Sequence, residues 1–378
     1  MIDDIIVRNQ KYRIIMKHQL ETMLVTFALL FTCFYCAFPQ ETTLKEEVSI
    51  KVNDKLTLAG EIEYPDKEGK FPAALLIWGS GPHTRDEMIS GTPIFKQISE
   101  SLLSEDMVVM RMDKRGYGKS IGEYRSEDNY TTQDLANDIK LAYNYLNSHK
   151  AVDTTKVGLI GHSEGTIIAS MLGAEDKSID WLVLFGPSAV SGREIELDQG
   201  SYSREQLGMS KDINSAITEV WKEYIEFIKE GYKNDSLYYQ IGKRFLMAHG
   251  LEENDKRITN EFIDQLLDAY KTPWYQFFYA NDNSKHLEKI KIPLLAIMGG
   301  ADKHTTVNLH FQPLYNALQK AENKSYKIVI LGDDDHFFFR HKGERLKKHE
   351  FGEMKMSHQF TETIKSWLKE RQIIDADK

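Results

Sequence analysis

The chain has 378 residues, a formal net charge of −9, 41% hydrophobic and 28% charged side chains, and nine prolines. That composition excludes disorder and fibrous repeats, and the acidic balance argues against a nucleic-acid partner, which needs a basic face. The two cysteines, Cys33 and Cys36, lie together near the N-terminus, so the folded body has no disulfide, cysteine metal site or cysteine nucleophile.

From Met23 to Phe38 the chain reads MLVTFALLFTCFYCAF without a charge. A membrane span needs about twenty apolar residues, and this stretch better suits the core of a signal peptide. Lys17 and His18 precede it and polar QETTLKEE follows. Residues 1–40 are expected to be an extension with an export signal, which would put the protein in the periplasm or outside the cell. The folded domain itself is not expected to insert in a membrane. No clean A-x-A precedes Gln40. An uncleaved anchor, a lipid on Cys33 or Cys36, a start at Met16 and a buried helix stay open.

After residue 45 the pattern turns to strands. Val48–Val52 and Leu56–Tyr64 alternate around Asn53-Asp54-Lys55, which reads as a hairpin. Nearly unbroken apolar runs follow at Ala73–Trp78, Met107–Met112, Val157–Ile160, Trp181–Phe185, Leu294–Met298 and Ile328–Leu331. Such runs suit strands covered on both faces, as in a parallel sheet between helices. Helical periodicity appears over Ile94–Leu103, Leu135–Leu146, Ile167–Leu172 and Phe360–Leu368. Strand and helix alternate, so the fold class is α/β with a doubly wound, mostly parallel sheet.

The alternation breaks between Ser188 and Ile290, where Ile213–Gly231 and Ile258–Tyr270 are the clearest helices. The stretch is too long for a connection. It is expected to be a helical cap, 188–290, inserted before the acid-bearing strand of a core formed by 45–187 and 291–378. Within it, Trp274, Phe277 and Phe278 are candidate walls of a substrate pocket, with packing against the main domain as the competing role. The basic run Lys342 to His349 reads as a solvated helix face.

The chemistry gathers at strand ends. Gly161-His162-Ser163-Glu164-Gly165 is a G-x-S-x-G with a strand before it and a helix after it, the pattern of a nucleophile elbow. Ser163 needs a base. Asp302 follows the run Leu294–Met298 and His336 follows Ile328–Leu331, so serine, acid and histidine come in the order this fold uses. Asp333, Asp334 and Asp335 lie too near His336 in the chain to reach its δ nitrogen well. Of the twelve histidines, His304 and His310 lie near Asp302 but neither ends a strand, and His162, beside the nucleophile, is expected to point elsewhere on the elbow. An oxyanion hole needs backbone N–H groups. Glu164 is expected to supply one, and Ser80, in the loop Gly79-Ser-Gly-Pro-His-Thr-Arg-Asp86, the other. Asp113 and Arg115, in DKRGYGKS, are expected to brace that loop through Arg85 and Asp86.

With those residues in hand, the chain resembles the α/β-hydrolase superfamily over about residues 45 to 370. GSGPHTRDE at 79–87, DKRGYGKS at 113–120, GHSEG at 161–165 and TPWYQFF at 272–278 are similar to a group of bacterial carboxylesterases. The resemblance implies an eight-stranded core with a helical lid and cleavage of short acyl esters. It assigns Ser163 as nucleophile, Asp302 as acid, His336 as base, and Ser80 and Glu164 as oxyanion donors. It implies no metal and no organic cofactor, and a small-molecule ester as the partner. His83 and Thr84, and Ala280-Asn-Asp-Asn283, depart from the pattern and bear on substrate preference. A peptidase of aminopeptidase type and a thioesterase or acyltransferase would keep the same triad. A non-catalytic binding module on this fold is the alternative from another class.

Overall fold

A computed structural model describes residues 43–122, 129–340 and 354–376. The apolar stretch 23–38 with its two cysteines, and the basic run 342–349, lie outside the described residues.

The hairpin forms where the alternation places it. Strands β1 (Thr43–Asn53) and β2 (Leu56–Pro65) pair antiparallel around the turn. The apolar runs become β3 (Phe71–Ile77), β6 (Val108–Met112), β8 (Val152–His162), β9 (Trp181–Phe185), β10 (Leu294–Gly299) and β11 (Tyr326–Leu331). Two short strands, β4 (Met88–Ile89) and β5 (Thr92–Pro93), pair with each other. The main sheet runs β1-β2-β6-β3-β8-β9-β10-β11, parallel from β6 onward, and the two-residue β7 (Ile121–Gly122) pairs with β2. The path has the eight strands expected, and β7 makes nine.

Unbroken apolar runs do mark strands covered on both faces, with one exception. Strands β3, β6, β9 and β10 bury nearly every residue, whereas β11 leaves Ile330 45% exposed. Strand β11 lies at the end of the sheet path, and among the described residues no further strand continues the layer beyond it.

Helices Ile94–Leu103, Thr132–Asn147, Glu164–Glu175 and His358–Glu370 sit where periodicity predicts them. The helix Val307–Lys320 went unread because Pro313 interrupts the pattern of a helix that forms nonetheless. Between β9 and β10 come helices Gly192–Gln206, Lys211–Lys229, Asp235–Ala248, Asn260–Leu267, Pro273–Ala280 and Ser284–Leu287. Five of them start on a side-chain cap, at Ser191, Ser210, Asn234, Thr259 and Thr272, each accepting a first-turn N–H. These helices bury a second apolar cluster around Trp221, Tyr224, Tyr238 and Tyr279, apart from the sheet core. Tyr275 and Phe278 pack against both clusters.

Candidate active site

The elbow is built on close approach. A Cβ on Gly165 would stand 2.1 Å from the Ile77 carbonyl oxygen, and one on Gly161 would stand 2.3 Å from that of Gly165. Only glycine lets the helix Glu164–Glu175 start this tightly against β8 and β3. Ser163, at the turn, adopts φ 51°, a left-handed conformation that costs a serine energy and lifts its side chain clear of the sheet. It is partly exposed, whereas His336 and Asp302 are buried.

The structure joins Asp302 to His336: Nδ1 of the imidazole lies 2.8 Å from Asp302 Oδ2. The other carboxylate oxygen accepts the N–H groups of His304 at 2.7 Å and Thr305 at 2.9 Å, and the Thr305 hydroxyl donates to Oδ2 at 2.7 Å. Burial alone would raise the Asp302 pKa, but His336 and Thr305 outweigh it and hold the carboxyl far below its ordinary range. Two of the three rival acids are occupied elsewhere. Asp334 accepts from Arg340 at 3.1 Å, and Asp335 caps the N–H groups of Phe337 and Phe339. Gly186, at φ 57°, makes room for the imidazole, since a Cβ there would stand 3.1 Å from His336 Cε1.

The Ser163 hydroxyl itself makes no hydrogen bond among the described residues. Such contacts often tighten only when substrate is bound. The ring of the neighbouring His162 lies 4.8 Å from that of His336.

The loop after β3 is held in a definite shape. Gly79 N–H donates to Glu87 Oε1 at 2.8 Å, and His83 Nε2 lies 2.8 Å from the Ser80 carbonyl. The Ser80 and Glu164 N–H groups have no acceptor among the described residues, so both expected oxyanion donors are unengaged. Asp113 braces this loop as expected, accepting from Arg85 N–H at 2.8 Å and from its guanidinium at 3.1 Å. Arg115 does not. Its guanidinium grips Asp138 of the helix Thr132–Asn147 at 2.6 and 2.7 Å, and Asp86 pairs with Arg111 of β6. The chain leaves β6 past Asp113, and two residues further on Arg115 lies beside the next helix rather than the loop.

The side chain of Glu164 was not anticipated as a polar centre. It is buried and ion-paired with the fully buried Lys114 at 3.2 Å. It also accepts from Thr132 Oγ1 at 2.8 Å and from the Trp274 indole N–H at 2.7 Å. Lys114 donates in turn to the Gly79 carbonyl at 3.3 Å. A buried ion pair persists only when its remaining polar atoms are satisfied, and this one is. Trp274 is thus an anchor whose polar atom is spent, with its ring stacked on Phe278 at 4.8 Å. Phe277 and Phe278 are half-buried. Trp274→Phe keeps an aromatic ring but loses the pyrrole half of the indole with its N–H, leaving one Glu164 oxygen short of a donor. It is expected to cost about 1–3 kcal/mol of stability, read from urea unfolding; no loss would mean another donor replaces the indole.

His310, on the helix Val307–Lys320, is also buried near this site. Its Nδ1 accepts the Ala189 N–H at 3.0 Å, so the proton sits on Nε2, which has no partner among the described residues. Burial pushes its pKa down to about 4. The folded chain therefore binds this proton less tightly than the unfolded chain. The stability gained by keeping the ring neutral is complete above about pH 6.5 and is lost as pH falls from there toward about 4, at most about 3 kcal/mol. Unfolding midpoints measured across that window should fall less steeply in His310→Asn than in the parent; equal slopes would refute the assignment.

Among the described residues no group of acidic, histidine or cysteine side chains is arranged to hold a metal, and no helix is long and apolar enough to cross a membrane.

Over 172 residues the chain is 31% identical to Esterase EstD of Thermotoga maritima, an alignment covering 46% of this chain and 39% of that protein's length. The fold is similar to the Pyrococcus furiosus esterase Pf2001, with a TM-score of 0.52 at 17% identity over 88% of this chain and 96% of that one. It is equally similar to DcsB, solved in complex with a substrate analogue, with a TM-score of 0.52 at 16% identity over 86% of this chain and 99% of that one. At such identities the likeness speaks for the fold: a mostly parallel sheet flanked by helices, the α/β-hydrolase architecture. A family model matches residues 88–330, which include both the elbow and Asp302, and the chain belongs to the family it describes, Serine aminopeptidase, S33, within the α/β hydrolases.

Proposed function

We propose that the chain is a serine esterase that cleaves short acyl esters through an acyl-enzyme. The observation that carries the reading is the Asp302–His336 contact of 2.8 Å beside a serine in a left-handed elbow. In the proposed reaction His336 Nε2 takes the Ser163 proton as the hydroxyl attacks the ester carbonyl. Asp302 keeps the imidazole in the tautomer with its proton on Nδ1 and stabilises the charged ring. The tetrahedral oxyanion is received by the Ser80 and Glu164 N–H groups. His336 returns the proton to the departing alcohol, and water activated by the same ring releases the acid. The aromatic stretch Trp274 to Tyr279 belongs in this proposal to the cap, with Phe277 and Phe278 toward substrate and Trp274 fixing the cap to the elbow.

The family description favours a second reading, in which the same residues cleave an amino-terminal peptide bond. Hydrolysis of p-nitrophenyl esters of graded acyl length, set against aminoacyl p-nitroanilides, decides between them. Turnover of the short esters alone supports the esterase, and turnover of the anilides alone supports the peptidase.

A further inference from the structure

The proposed reaction leaves His162 without a role, yet its ring is wedged between all three catalytic loops. It is buried, stacked on Phe185 at 4.6 Å, and both nitrogens are engaged. Nδ1 lies 2.8 Å from Glu87 Oε1, and Nε2 lies 3.1 Å from the main-chain carbonyl oxygen of His336. A carbonyl and an ionised carboxylate only accept, and a neutral imidazole has a single N–H. A neutral ring would therefore set one nitrogen lone pair against an acceptor, whereas an imidazolium donates to both.

Glu87 supplies the counter-charge. It is fully buried, and Oε1 also takes the Gly79 N–H at 2.8 Å. A neutral His162 would need a protonated Glu87 whose Oε1–H donates to Nδ1 while still accepting from Gly79, and its ring would then carry a single N–H, on Nε2. Burial alone would favour the neutral ring, but the charge and hydrogen bond of Glu87 outweigh it and the His162 pKa is raised, while Glu87 is lowered. Asp302 adds to this attraction, and the rings of His83, His304 and His336 face the same site with the opposite tendency if charged.

We propose that His162 is a positioning residue, a buried imidazolium that with Glu87 clamps the oxyanion loop and the base loop onto the nucleophile elbow. One contact fixes Gly79, immediately before the oxyanion donor Ser80; another fixes the main chain of His336; and His162 itself precedes Ser163. The inference rests on the catalytic reading above, because the clamp matters only if those loops act together. It differs from the triad contact in touching no reacting atom.

Ring ¹⁵N NMR on the full chain labelled with ¹⁵N-histidine tests the proton directly, with the His162 signals assigned by their loss in His162→Asn. Both ring nitrogens are expected to stay protonated from about pH 6 to about pH 9, where an ordinary histidine becomes neutral. One unprotonated nitrogen at neutral pH would overturn the proposal. In Glu87→Gln, which keeps the shape and removes the charge, labelling of Ser163 by a fluorophosphonate should slow about tenfold or more. Ester kcat should fall equally, with KM changed less than about twofold. A parent chain that is never labelled overturns the catalytic reading. A labelled parent whose Glu87→Gln variant reacts at the same rate overturns the clamp alone.

Discussion

Ser163→Ala is expected to reduce hydrolysis of short p-nitrophenyl esters by about 10⁴-fold to 10⁶-fold in kcat while leaving unfolding nearly unchanged. Without the hydroxyl no acyl-enzyme forms. In the proposed mechanism, what would remain is the assistance of the Ser80 and Glu164 N–H groups to direct attack by water. The structural effect is small because the partly exposed hydroxyl makes no hydrogen bond among the described residues. The backbone strain is retained, since φ 51° strains alanine as it strains serine. Steady-state turnover, fluorophosphonate labelling and urea unfolding on one preparation check this. A variant retaining more than about a hundredth of the activity would show that Ser163 is not the nucleophile.

The frame of this fold was legible in the sequence because its signals are local. The apolar runs that became β3, β6, β9 and β10 are buried on both faces, and burial on both faces is what an unbroken run records. Ser163, Asp302 and His336 stood out as candidates because each follows a strand, where chain order restricts the choices. The Asp302–His336 distance itself spans 34 positions and appears only once the sheet is assembled.

What was not legible depends on pairs that are remote in sequence. Glu87 and His162 are 75 residues apart, Lys114 and Glu164 are 50, and Glu164 and Trp274 are 110. In isolation Glu87, His162, Lys114 and Glu164 read as ordinary residues beside turns, and Trp274 reads as a pocket wall. A usable signal did exist for Lys114 and Glu164, charged residues directly after apolar strands or elbows, where solvent access is poor. The misreading of Arg115 has the same origin, since a long side chain in a loop can reach either of two elements and only packing selects Asp138. The helix Val307–Lys320 escaped because Pro313 carries a strong local penalty that tertiary packing of Leu314, Ala317 and Leu318 overrides.

Asp302→Asn is expected to lower kcat by about 10⁴-fold without removing Ser163 or His336. The reason lies in which oxygens are pinned. Oδ1 takes two backbone N–H groups, from His304 and Thr305, so an asparagine must place its carbonyl oxygen there. Its NH₂ group then replaces Oδ2, 2.8 Å from His336 Nδ1, and donates where the parent accepts. The imidazole answers by moving its proton to Nε2, the nitrogen that should receive the proton of Ser163. The ring stays in place in the wrong tautomer. Stability changes with the same pH sense as that of His310, in a more acidic window. The Asp302 carboxyl is held far below its ordinary value, so its contribution is present above about pH 4 and lost as pH falls below that. The asparagine variant should therefore lose less stability on acidification than the parent, while being the less stable of the two at neutral pH. Turnover with p-nitrophenyl acetate and unfolding at neutral and acid pH measure both effects. A kcat loss below about tenfold would mean that another group orients His336, and the Thr305 hydroxyl, 3.4 Å from Nδ1, would be the first to replace.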